Sequence, residues 1–421
     1  MKKILIPLIF SIAACHTAIK KTDTPAPPPP AETCSCQPCP KIEEVKPAAA
    51  LVKIDISQFP FFKDDGDKKD FLKAAELNMK FLEKSLSKNS SYLFGDRKIS
   101  YELLLKTNKE FNALLSSQSS WEELNKKIAE KFDVYELKPS TKEIIFSSYY
   151  EPIIEASLNK TAEYKYPIYS KPSDLISVNL EDFNEKFKGE KITGRIENQN
   201  LIPYYSREEI DYKEAIKGKV KPLAWFKSAA DVMDLHIQGS GILKLPDGKY
   251  MKAKFAATNS LKFKGWMTAL LEMKLMTRAE LNADSAKKFL DSNPKLEREI
   301  LSQNKRYTFF KLEDNADLSV GPEGTYGYPL VGQRSIAIDN SIIPFGTLAF
   351  MKTSLPDVDN QGNYFGKKED SRFVFAHDTG GAIKNARVDF FAGNGPRAKK
   401  FAFSLWDPGK LYFIVLKEEI K

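Results

Sequence analysis

Three aspartates near the C-terminus follow or interrupt apolar runs. Asp339 ends Ser335-Ile336-Ala337-Ile338-Asp339, Asp378 ends Phe375-Ala376-His377-Asp378, and Asp389 lies inside Arg387-Val388-Asp389-Phe390-Phe391. Gly346, Gly380, Gly381, Gly393 and Gly395 are interleaved with them. A carboxylate leaving a strand-like run beside glycines is well placed to move a proton at a ligand. Taken singly, each Asp is most simply a structural acceptor of N–H bonds at a turn; three together point to an acid–base site. Asp378-Thr379-Gly380 matches an aspartic-protease fingerprint, but that chemistry needs two such carboxylates sharing a proton. The chain holds a single Asp-Thr-Gly.

A second cluster is His236-Ile237-Gln238-Gly239-Ser240-Gly241, followed by the turn signal Pro246-Asp247-Gly248. It reads as part of a hairpin. The order is not Gly-x-Ser-x-Gly and only His236 stands nearby as a base, so Ser240 is a poor nucleophile. The functional reading is a backbone site at Gly239, Ser240 and Gly241 with Gln238 donating; a tight strand bend is the structural one. Tyr149 and Tyr150 are candidates for stacking on or hydrogen bonding a sugar, although adjacent strand residues point to opposite faces. The three histidines are scattered, and neither a metal nor a cofactor is expected.

The elements that must position these residues begin with helices. Leu72, Ala75, Met79, Leu82 and Leu86 share one helical face. A second helix is expected over 101–115. Ser120-Trp121-Glu122-Glu123 makes a capping box ahead of Leu124, Ile128 and Phe132. Short strands and turns follow from 164 to 250, then helices over 261–275, 279–290 and 295–304. Strands are expected at 334–338, 347–351, 372–376, 387–391 and 410–416.

A length of 421 residues allows about two or three domains. The net charge of +8 comes with alternating Lys and Glu, which reads as solvated faces and not as a nucleic-acid surface. Lys2 and Lys3 precede an apolar run, 4–14, that is too short to span a bilayer. Ile12-Ala13-Ala14-Cys15 resembles a bacterial lipobox, so residues 1–15 are expected to be a lipoprotein signal with Cys15 lipidated. Acyl chains contribute roughly 0.8 kcal/mol per buried methylene, enough for several chains to hold a protein at a membrane. His16, where an aspartate would favour the inner membrane, favours the outer one. Residues 16–58 have the Pro-, Ala- and Lys-rich composition of a linker. Cys34, Cys36 and Cys39 sit in it without a fourth ligand and read as tether thiols.

Across 145–415 the stretches SSYYEPIIEAS, YPIYSKP, LIPYYSREEI, HIQGSGILKLPDGKYMKAKFAATNS, YGYPLVGQRSIAIDNSIIPFGT and HDTGGAIKNARVDFFAGNGPRA occur in order. In this the chain resembles the membrane-bound lytic murein transglycosylase A family, whose C-terminal part is the three-aspartate (3D) domain. The resemblance implies a mainly β fold with helices: a double-psi β-barrel (59–157 with 296–421) interrupted by a smaller β-barrel-like domain (158–295). A glycan strand would bind in the cleft between them. The implied reaction cleaves the MurNAc–GlcNAc β-1,4 bond of peptidoglycan without water and leaves a 1,6-anhydro-MurNAc end, which is carbon–oxygen lyase chemistry.

By the same resemblance Asp389 is the proton carrier, matched with Asp378 and Asp339. Ser147, Tyr149, Tyr150, Gln238 to Gly241, Gly380, Gly381 and Lys384 fall at substrate-binding positions. The resemblance further implies a monomer facing the periplasm on a lipid anchor. A hydrolytic muramidase and a non-catalytic peptidoglycan-binding lipoprotein are the alternatives. An Asp ordinarily titrates near 3.9, so Asp389 must be raised to serve as an acid, through burial beside Phe390 and a nearby Asp378 or Asp339. The chain departs from relatives at Ser147-Ser148, Ser260 and Asn385. Glu151 is a further departure and is expected to put a carboxylate near the cleft.

Overall fold

A computed structural model describes residues 49–88, 90–139, 143–187 and 190–418. The lipobox Cys15, most of the expected linker and Cys34, Cys36 and Cys39 lie outside them. Among the described residues no helix is long and apolar enough to cross a membrane.

The expected linker ends early. Ala49–Ile54 forms β1, which buries Leu51 and Ile54 and pairs with a later strand. Helix α1 (Lys68–Ser85) is capped by Asp67, which accepts the Lys69 N–H. Its buried face is rotated by one residue from the expected one: Phe71, Ala74, Ala75, Asn78, Phe81 and Leu82 point inward, while Leu72 and Leu86 are each 43% exposed. The large ring of Phe71 decides this, because it packs on Phe111, Phe373 and Phe375. A hairpin of β2 (Ser91–Phe94) and β3 (Arg97–Ser100) leads into α2 (Tyr101–Ser117). Ser120 then caps α3 (Trp121–Lys131), accepting the Glu123 N–H as the capping-box signal predicts.

Two strands follow, β4 (Phe132–Pro139) and β5 (Ile144–Glu151). After Pro152 the chain enters a second body through β6 (Ile153–Ser157), β7 (Tyr166–Tyr169) and a small sheet of β8 (Ile176–Asn179), β9 (Lys191–Glu197) and β10 (Asn200–Pro203). It continues with α4 (Arg207–Tyr212), β11 (Pro222–Phe226), α5 (Ala229–Gln238), β12 (Gly241–Lys244) and β13 (Tyr250–Thr258). Three short helices, α6 (Trp266–Glu272), α7 (Ala283–Ser292) and α8 (Glu297–Leu301), precede β14 (Thr308–Asp314). Strands β14-β13-β12-β6-β11-β7 form one sheet, and a single bridge between Ser170 and Phe310 brings its edges together. Sheet pairing therefore places β6 and β14 in the inserted body, which is wider than the expected 158–295.

The chain then returns to the first body with β15 (Ser335–Ala337), β16 (Leu348–Val358), β17 (Tyr364–Asp378), β18 (Arg387–Asn394), α9 (Gly395–Ser404) and β19 (Trp406–Leu416). The order β19-β16-β17-β15-β18-β5 closes on itself through β5–β19, giving a six-stranded barrel, with β4 and β1 extending the sheet from β19. Two pairs, β15–β17 and β5–β18, are parallel. Residues as far apart as Ser147 and Asp389, 242 positions from each other, thus become neighbours, and the site depends on that.

Candidate active site

Closure of the barrel aligns the chemistry in one row. Ala337 is in register with Asp378 on one side and Asp389 on the other, Asp389 is opposite Ser147, and Ser147 is opposite Trp406. The row opens onto a cleft of about 860 Å³. Ser147, Tyr149, Gly380, Gly381, Arg387, Asp389 and Trp406 line it from the barrel; His236, Gln238, Phe263 and Arg306 line it from the inserted body.

Asp389 is half-buried in the cleft wall. Its Oδ1 accepts from Ser147 Oγ at 2.7 Å, and among the described residues Oδ2 has no protein donor. Burial pushes its pKa up to about 6; the Ser147 hydrogen bond and the Arg387 charge pull against that, and the Asp378 charge adds to it. A carboxyl tuned to that range can give a proton and later take one.

Asp378 is likewise half-buried, and it is well satisfied. Its Oδ1 accepts from Thr325 N at 2.9 Å and Thr325 Oγ1 at 2.7 Å, and its Oδ2 accepts from Tyr149 OH at 2.8 Å. Burial raises its pKa against these donors. Burial beside the Asp378 charge pushes the Tyr149 phenol well above its usual range, so it stays a donor. Asp339 differs. Burial raises its pKa, but the Asn385 N–H at 2.8 Å, Ser341 Oγ at 2.7 Å and Lys384 Nζ at 3.8 Å outweigh this and hold it low. Asp339 does not line the cleft and is not among the groups that shift Asp389. It braces the loop that carries Asn385.

Several expected binding residues sit elsewhere. Tyr150 points away from Tyr149, as strand alternation requires, and donates to Asp234 beside a second cavity of about 970 Å³. His236 to Gln238 end α5 and are not part of a hairpin strand: Gly239, at φ 79°, caps the helix before β12 begins. Gln238 reaches the cleft, while Gly239, Ser240 and Gly241 do not line it. Lys384 points to Asp339, outside the cleft lining. Gly380 and Gly381 line the cleft, but the space where their side chains would stand is occupied: a Cβ on Gly380 would lie 2.6 Å from Ile383 Cγ1, and one on Gly381 would lie 2.7 Å from Arg306 Nη1. Glu151 is fully buried at the junction of the two bodies, 3.4 Å from Lys252 Nζ, and is absent from the cleft lining.

Three cleft residues were not among the expected site residues. Arg387 donates to Ser147 Oγ through Nε and Nη2, both at 3.3 Å, and stacks 4.8 Å from the Trp406 ring centre. Trp406 is 61% exposed, a flat apolar face beside the acid. Arg306 stands on the opposite wall. Arg387 stands two residues before Asp389, on the same face of a strand, so its proximity was readable; Trp406 and Arg306 arrive only through the fold.

Comparisons with known proteins match both parts of the chain. A family described as the MltA specific insert domain matches residues 145–311, and the 3D domain matches 334–415. The membrane-bound lytic murein transglycosylase A of Escherichia coli (strain K12) is 30% identical over 255 residues. That stretch is 60% of this chain and only 60% of the relative's length. Among solved structures, MltA from Neisseria gonorrhoeae (monoclinic form) has a TM-score of 0.64 at 24% identity, covering 88% of this chain and 94% of that one. E. coli MltA with bound chitohexaose has a TM-score of 0.64 at 22% identity, covering 88% and 95%. At these identities the structures show a shared fold.

Proposed function

Because the chain belongs to the membrane-bound lytic murein transglycosylase A family, we propose that it cleaves the MurNAc-β-1,4-GlcNAc bond of peptidoglycan and forms 1,6-anhydro-MurNAc. Asp389 Oδ2 first protonates the glycosidic oxygen as that bond breaks. The same carboxylate then takes the proton of the muramyl C6 hydroxyl while its oxygen bonds to C1. The proton count closes, and no water is consumed. An internal nucleophile has a high effective molarity, so one carboxylate suffices where hydrolases need two.

The observation that carries this reading is that, of the three aspartates, only Asp389 lines the cleft, with one oxygen free and a pKa pushed up by burial. Ser147, itself held by Arg387, holds its carboxyl; Tyr149 and Asp378 sit behind it. Trp406 offers a face for a sugar ring, and Gln238 a polar group from the inserted body.

The protein is proposed to work as a monomer in the bacterial cell envelope, held by a lipid on Cys15 at the outer membrane and facing the periplasm. A Cys15→Ala chain recovered in the soluble fraction supports the anchor; one that stays with membranes contradicts it. For the chemistry, Asp389→Asn should abolish turnover of murein sacculi while sedimenting with them like the wild type. Unchanged turnover in that variant would overturn the assignment.

A further inference from the structure

The cleft holds a cation that none of the described residues neutralises. Arg306 is part-buried, and among the described residues its guanidinium has neither an ion pair nor a hydrogen-bond partner. Its neighbours in the cleft are committed or solvated. Arg387 serves Ser147 and Trp406, Lys399 pairs with Asp284 at 3.3 Å, and Arg278 is exposed. None of the Arg306 nitrogens is sealed from the open cleft without a partner. Loss of hydration pulls its pKa down with no carboxylate opposing, which marks a site short of a negative charge.

The position is built. The Arg306 carbonyl accepts from the buried Arg207 Nη2 at 2.8 Å, its N–H donates to Asn304 Oδ1 at 3.2 Å, and Tyr307 N donates to Asn259 Oδ1 at 2.8 Å. The guanidinium then crosses to the barrel and lies over Gly381, where any side chain would collide with Nη1. Gly381, expected at a substrate-binding position, makes room for this arginine. A planar, unpaired fork in a half-dry cleft suits a carboxylate.

We propose that Arg306 is a specificity-determining residue that receives a carboxylate of the substrate, carried by the muramyl lactyl group or by the peptide attached to it. This rests on the peptidoglycan reading above. It separates two otherwise similar polymers, because N-acetylglucosamine chains carry no carboxylate. Muramyl residues carry one on the lactyl group when bare and present those of the peptide when substituted.

The test measures binding of three soluble ligands to the full chain carrying Asp389→Asn, with and without Arg306→Gln or Arg306→Lys. The ligands are peptide-free glycan strands, peptide-bearing strands and chitohexaose. Arg306→Gln is expected to weaken at least one kind of strand by about ten- to a hundredfold, the range of a charge-assisted hydrogen bond. Chitohexaose should be unaffected, and Arg306→Lys should recover part of the loss. Loss confined to peptide-free strands assigns the lactyl carboxylate; loss confined to peptide-bearing strands assigns the peptide. In the otherwise unaltered chain, Arg306→Gln should raise KM and leave kcat within about twofold, because uniform binding is what is removed. Equal weakening of chitohexaose, or no weakening of either strand, overturns the proposal. Failure of the unaltered chain to yield anhydro ends overturns the transglycosylase reading instead, and the binding comparison still decides Arg306.

Discussion

Ser147 Oγ donates to Asp389 Oδ1 at 2.7 Å while it accepts from both Nε and Nη2 of Arg387 at 3.3 Å. The serine hydroxyl thus joins the acid to a guanidinium that does not touch it directly. Both influences favour the charged carboxylate and oppose the rise that burial causes. Removing either should move the Asp389 pKa further above about 6. The alkaline limb of kcat/KM, where the acid form is lost, should shift to higher pH in Arg387→Gln and in Ser147→Ala. Asp378→Asn removes a charge that raises Asp389 and should shift the limb down. pH profiles of the three variants check the signs; a limb that stays in place in all of them would detach the profile from Asp389.

The same pKa carries a stability cost. Asp389 titrates near 6 in the folded chain and at about 3.9 when unfolded. Its contribution is fully present below the unfolded value and is lost as pH rises through the folded one. Asp389→Asn should therefore be more stable than the wild type at pH 7.5, by about 1–3 kcal/mol. The difference should shrink as pH falls towards 4. Denaturant melts at the two pH values measure it.

The junction between the bodies holds a second titrating carboxyl. Glu151 is fully buried, accepts no well-aligned hydrogen bond and faces Lys252, whose Nζ also donates to Val320 O at 2.8 Å and Gly321 O at 2.9 Å. Burial pushes its pKa up to about 7, with Lys252 opposing. Lys252→Met leaves that carboxylate without a counter-charge and should cost about 3–5 kcal/mol at pH 8.5. At pH 5.5, with Glu151 protonated, the cost should be clearly smaller. An equal loss at both pH values would mean that packing of the lysine stem, and not its charge, is what matters.

Closure of the barrel depends on Gly409, opposite Ile144 on one side and Thr353 on the other. A Cβ there would lie 2.6 Å from Lys352 O and 2.7 Å from Phe146 Cε2. Gly409→Ala should destabilise by about 1–3 kcal/mol through overpacking, seen as a lowered Tm. It should also reduce turnover, because β19 carries Trp406 and β5 carries Ser147. Wild-type stability in this variant would place the seam elsewhere.

What the residue pattern foretold follows physical range. Apolar runs that end in or enclose an aspartate marked β17 and β18 well, because strand alternation is local. The same logic failed at His236 to Gln238, where the apolar residues fit either period and only the Ser228 cap and the left-handed Gly239 mark a helix. Gly380 and Gly381 were visible as small residues, but what fills their space is a tertiary fact. Trp406 and Arg306 come from opposite bodies and reach the cleft only because β5 closes on β19 and the inserted body folds over it. The division between Asp378 and Asp339 was hidden for the same reason: identical side chains are separated by the donors the fold brings to them.

The most direct measurement of the central claim digests intact sacculi with the full chain in water enriched in heavy oxygen and reads the new muramyl ends by mass spectrometry. Attack by the C6 hydroxyl predicts anhydro-muropeptides without label from the solvent. Labelled reducing ends in their place would show that water is the nucleophile and would contradict the account of Asp389.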